Sequence, residues 1–102
     1  MKTGIEIIAD ERTRQINEEG RSVRFDADSY SNDELASAAA AYASPARQRS
    51  LKTVSRVPVF WPWSNVWWKP APNDRVRELA KAGALIAAEI DRIQYREAQK
   101  NA

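Results

Sequence analysis

Seven carboxylates, Glu11, Glu18, Glu19, Asp26, Asp28, Glu34 and Glu89, are the side chains with which this 102-residue chain could hold a hard cation. Magnesium takes oxygen ligands and must bridge phosphates that are themselves anionic. Cleaving a nucleoside triphosphate therefore needs several acids converging from facing helices. Glu18, Glu19, Asp28 and Glu34 form the candidate catalytic set for such chemistry, with Glu19, Asp28 and Glu34 on the metal. Asp33 and Glu34 also have a structural use, because acids in a first helical turn satisfy free amides and the helix dipole. The preferred reading has no catalytic residue, no metal and no cofactor; magnesium at these acids is the alternative. With no histidine and no cysteine, zinc sites and Ser-His or Cys-His triads are excluded.

A second chemistry lies in cations interleaved with indoles. All four tryptophans fall within WPWSNVWWKP, from Trp61 to Pro70. Residues 35–73 carry no acid and five bases, Arg47, Arg49, Lys52, Arg56 and Lys69, whereas residues 1–34 are acidic. Cations attract phosphate and aromatic faces stack on bases, so a nucleotide or a single strand is a fitting ligand. The candidate ligand-binding residues are Arg47, Arg49, Lys52, Arg56, Trp67, Trp68 and Lys69, joined by Arg77 and Lys81 from the helix that follows. A solvated loop is the plainer explanation of the arginines. Indoles bury on the order of 200 Å² each, so a thin helical core needs some of them inside. Adjacent Trp67 and Trp68 cannot easily point the same way in an extended chain, which leaves one or two for the surface.

Three helices must position these groups. The first, at 3–19, opens with the capping box Thr3-x-x-Glu6 and stops at Gly20. The second, at 32–43, opens with Ser31-Asn32-Asp33-Glu34, another capping box, and ends before Pro45. The third, at 73–98, repeats Val76, Leu79, Ala80, Gly83, Ile86, Ala87, Ile90 and Ile93 at three-and-four spacing, which predicts that this stripe faces the core. Gly83 on that stripe marks either a close backbone approach, for instance by the alanine-rich second helix, or a tolerated glycine. The expected architecture is one mainly α domain over residues 1–102: three helices with a long basic, Trp- and Pro-rich loop at 44–72 between the second and third.

ADERTRQINEEG, NDELASAAAAYA, WPW, WWKP and KAGALIAAEIDR together resemble a group of small phage and prophage proteins. Their ordered blocks look like ERxRQxxxEG, GELAxAAxxYA, WPWxxxWWKP and RxLxKAGALIxAEIxR. The resemblance spans almost the whole chain and implies a phage or prophage setting, with no activity attached. Two positions depart from it: Tyr30 stands where histidine is frequent, and Asp33 where glycine is usual. More faintly, the second and third helices resemble the all-α MazG-like nucleotide pyrophosphohydrolases. Those enzymes place a second acid a turn or so after the first, whereas Glu34 is followed by no acid on its helix.

The function expected is that of a non-enzymatic accessory binding protein. It would engage a nucleotide, a nucleic acid or a host protein through the basic aromatic loop, in a host-takeover or counter-defence role. The alternatives are a magnesium-dependent pyrophosphohydrolase and an assembly protein without a small ligand. Self-association is expected. The N-terminus turns charged after Ile8 and no run reaches the ~20 apolar residues that span a bilayer, so a cytoplasmic protein with no membrane partner is expected.

Overall fold

The computed structural model describes residues 1–49 and 57–101. It is mainly helical, with α1 (Gly4–Glu19), α2 (Val23–Ser29), α3 (Glu34–Ala43) and α4 (Arg75–Lys100), and with 3-10 turns at Ala46–Gln48 and Asn65–Trp67. Among the described residues no helix is long and apolar enough to cross a membrane.

The first capping box is present as read: the Thr3 hydroxyl accepts from the Glu6 amide, and the Glu6 carboxylate accepts from the Thr3 amide at 2.8 Å. Two other expectations are corrected. A fourth helix, α2, lies where a connection was expected; its seven residues are too few to show an apolar period, and it begins because Ser22 accepts from the Phe25 amide at 3.1 Å. The second expected capping box does not form. Asp33 adopts a left-handed backbone, φ 63°, with no side-chain cap, and Glu34 turns back to accept from the Asn32 amide at 2.6 Å.

Each of α1, α2 and α3 packs against α4. The core joins Leu35, Ala38, Ala39, Ala41 and Tyr42 of α3 to Ala82, Leu85 and Ala88 of α4, and Val57 and Trp61 close it from the segment between. Alanine faces let α3 and α4 approach closely. The face α4 turns inward is therefore not the predicted stripe: its buried residues are Glu78, Ala80, Ala82, Ala84, Leu85, Ala88 and Glu89, of which only Ala80 was expected there. Val76, Leu79, Ile86, Ile90 and Ile93 are instead 46% to 58% exposed. At Gly83 the close neighbour is a side chain of α1, not a backbone. Ile8 Cδ1 and Cγ1 lie 2.6 and 2.8 Å from where a Cβ would stand.

Burying glutamates on α4 requires partners, and arginines supply them. Glu78 accepts from Arg49 Nη2 and Arg75 Nη1, both at 3.1 Å, and from the Ala71 amide at 3.1 Å. The same arginines donate to the last carbonyls of α3, Arg49 Nε to Ala41 at 2.9 Å and Arg75 Nη1 to Tyr42 at 2.9 Å. Glu89 pairs with Arg92 at 2.5 Å. On α1, Glu11 takes two hydrogen bonds from Arg14, at 2.9 and 2.7 Å, and one from Arg77 at 3.1 Å.

Burial pushes the Glu78 carboxyl up, but the hydrogen bonds from Arg49, Ala71 and Arg75 outweigh it and hold the group below its ordinary 4.5. Glu11 is likewise held low, burial being overcome by Arg14 and Arg77. A depressed carboxylate adds stability above its unfolded value and loses it as pH falls through the folded one. Thermal melts should therefore show Tm falling below about pH 4.5, and Glu78→Gln should flatten that slope while costing roughly 1–3 kcal/mol at neutral pH. Gly83→Ala should destabilise the fold despite the better helix propensity of alanine, and Ile8→Ala should remove that penalty in a double-mutant cycle.

Candidate functional site

Trp61 is the centre of an aromatic cluster. Its indole is buried, its Nε1 donates to the Ser64 carbonyl at 3.0 Å, and its edge meets Tyr42 at 5.6 Å, Trp63 at 5.2 Å and Trp68 at 5.1 Å between ring centroids. Trp68 stacks on Tyr42 at 4.6 Å, and the Tyr42 hydroxyl accepts from the Lys69 amide at 3.1 Å. Trp63 leans on Tyr30 at 5.3 Å, which meets the ring of Phe25 edge-on at 6.1 Å. Prolines at 58, 62 and 70 keep the segment from becoming a regular helix, and it runs as a strap of short turns, the Trp61 amide donating to the Pro58 carbonyl at 2.9 Å and Asn65–Trp67 forming a 3-10 turn.

Two arginines flank the cluster over ring faces, Arg21 at 4.9 Å from Trp63 and Arg49 at 5.2 Å from Trp68. Lys81 sits 5.2 Å from the Tyr42 ring and donates to the Lys69 carbonyl at 2.7 Å. Burial, with Arg77 adding to it, holds Lys81 below its ordinary 10.5, the opposing pull of Glu11 and Glu19 being weaker. Burial raises both Tyr30 and Tyr42, so both phenols stay protonated at neutral pH.

Between the strap and α1 lies a cleft of about 780 Å³. Its apolar wall is Phe25, Tyr30, Tyr42, Trp61, Trp63 and Trp67; α1 supplies Arg14, Gln15, Glu18 and Glu19; and Arg21, Lys69 and Lys81 complete the rim. Its size falls in the range of small-ligand sites, roughly 300–1,000 Å³. Three of its lining residues carry buried polar atoms with no hydrogen-bond partner among the described residues: Gln15 Oε1, Trp63 Nε1, and Nε and Nη2 of Arg21. Arg21 Nε stands 3.9 Å from Asp26 Oδ1, an ion pair too long to be a hydrogen bond, and Asp26 Oδ1 is likewise unpartnered. Each such atom costs about 1–3 kcal/mol until something meets it.

The candidate residues from the sequence separate in the fold. Trp67, Lys69, Lys81, Glu18 and Glu19 border the cleft. Arg49 and Trp68 are packing residues, one paired with Glu78 and the other stacked on Tyr42. Arg77 is engaged by Glu11 and borders a smaller hollow with Ile7, Asp10 and Val76. Arg47 is exposed on the first 3-10 turn, and Lys52 and Arg56 lie outside the described residues. The alternative metal set is not gathered: Asp28 pairs with Arg24 at 3.7 Å, Glu34 closes onto the start of α3, and Glu19 pairs with Arg14 at 2.6 Å. Among the described residues no group of three or more His, Cys, Asp or Glu is placed to hold a metal ion. Gln15, Arg21, Phe25 and Tyr30 were not among the candidates. Their only sequence signal was a polar residue recurring on the inner side of α1 and an aromatic just before the second capping motif.

Comparison with protein-family models, curated proteins and solved structures finds no match. The site is therefore argued from its own geometry. Trp67 is 64% exposed while Trp61 is buried, so acrylamide should quench a fraction of the emission that Trp67→Phe removes, leaving a protected remainder. Unchanged quenching in that variant would place another indole at the surface.

Proposed function

We propose that this chain is a non-enzymatic binding protein that takes a nucleobase, free as a nucleotide or carried on a single strand, into the aromatic cleft, with the phosphate near Lys69 and Lys81. The observation that carries the reading is the combination of an indole- and phenol-walled cleft with the unpartnered donors and acceptor of Trp63, Arg21 and Gln15. A base offers a flat face to such walls and, on its edge, donors and acceptors complementary to these buried atoms. The lysines at the rim suit the phosphate, and the ordered sequence blocks support a phage or prophage accessory role.

The magnesium-dependent pyrophosphohydrolase has less support. Glu18 and Glu19 border the same cleft, but Asp28 and Glu34 are engaged elsewhere. A purely protein partner would leave the polar atoms of the cleft unexplained.

Titration with a panel of mononucleotides and short single strands, read by tryptophan emission, should show saturable quenching. Trp63→Ala and Tyr30→Ala should each weaken binding by roughly 5- to 100-fold, the value of one stacked base, with the helical circular dichroism retained. Affinity should fall with salt. It should also fall as pH rises through the lowered pKa of Lys81, and Lys81→Met should lose that dependence. No quenching by any nucleotide or strand overturns the reading, and pyrophosphate release with magnesium would replace it by the enzyme.

A further inference from the structure

The branched residues that α4 shows to solvent, Val76, Leu79, Ile86, Ile90 and Ile93, fall together with half-buried Gly83 at alternating steps of three and four over about two and a half heptads. This is the spacing of a coiled-coil seam, on which knobs of one helix enter holes of another. Within one chain Ile8 of α1 occupies that line at Gly83, and Ile7 and Asp10 border a hollow beside Val76. The opposite face of α4, with Leu85 and Ala88, is already committed to the core.

We propose that this seam is a homodimer interface, with α4 of one chain packed against α4 of a second copy. The period is its own complement: in an antiparallel pair Val76 meets Ile93, Leu79 meets Ile90 and Ile86 meets Gly83 with its Ile8 cover. The area also fits. Five side chains about half open and Ile5, 83% exposed on α1 one turn before Ile8, offer apolar surface on the order of 600 Å² per chain, against the ~800 Å² per partner of a standard interface. The composition of the core points the same way. Among the largest fully buried side chains Leu35 is the sole aliphatic, accompanied by Asp26 and Pro58, so one chain alone leaves most of its isoleucine and valine outside. The interface does not rest on the nucleotide reading, since Lys81 and Leu85 border the cleft from the other side of α4.

Sedimentation equilibrium on the full chain from about 1 to 200 µM should give twice the 11.5 kDa chain mass. Ile86→Asp with Ile90→Asp should return one chain mass, weakening association at least ~100-fold, with helical circular dichroism retained because both side chains face solvent in the single chain. In that antiparallel register the Leu79→Cys and Ile90→Cys variants, in a chain without other cysteines, should form a disulfide with each other when mixed and little with themselves. A wild-type chain monomeric throughout that range overturns the proposal. So does a dimer unaffected by the double substitution, or a monomer that uses this face to bind phosphatidylcholine vesicles.

Discussion

Glu78 is a carboxylate taken out of water, and its charge is tolerable there only because Arg49, Arg75 and the Ala71 amide all donate to it. Those donors come from the chain just after α3, from the first turn of α4 and from the end of the strap. The arginines also satisfy carbonyls that α3 would otherwise leave unpaired at its C-terminus. Removing the carboxylate would leave two guanidinium groups facing each other among carbonyls, a worse arrangement than the loss of one ion pair suggests. The junction of three segments thus hangs on one ionised oxygen pair.

The aromatic cluster is built on that junction. Arg49, aligned by Glu78, lies over the ring of Trp68, which stacks on Tyr42. Tyr42 in turn fixes the strap by accepting from the Lys69 amide. From there Trp61 and Trp63 carry the contact to Tyr30, so the walls of the cleft are positioned through ring contacts that trace back to α3 and α4. Rings packed against one another leave few rotamers open, and a site preorganised in this way loses little freedom when it takes a flat ligand.

Much of the helical framework was legible in the sequence. Thr3 with Glu6, Gly20, Pro45 and Asp74 mark boundaries through local hydrogen bonding and backbone restriction, which a one-dimensional pattern records directly. The face of α4 was not legible, because periodicity reports that an apolar stripe exists and not what covers it. Alanine against alanine won the inward face by allowing close approach, and Glu78 and Glu89 were admitted by arginines distant in sequence or one turn along. The same limit applies to the cleft. Trp67, Lys69 and Lys81 border it, but Arg21 and Tyr30 reach it only through the placement of α2, whose seven residues carry no periodic signal, and Gln15 through the packing of α1 on α4. Arg49 looked like a phosphate contact because its partner Glu78 lies 29 residues away.

Asp33 joins α2 to α3 through a left-handed backbone that an L side chain adopts at a cost of roughly 1 kcal/mol, and that glycine adopts freely. In this chain the bend is kept with the less suitable residue, aided by the Asn32–Glu34 hydrogen bond. The path from Tyr30 into α3 is thus held by the surrounding packing against a local preference to straighten. The joint is a shape imposed by its surroundings on a residue that would not choose it.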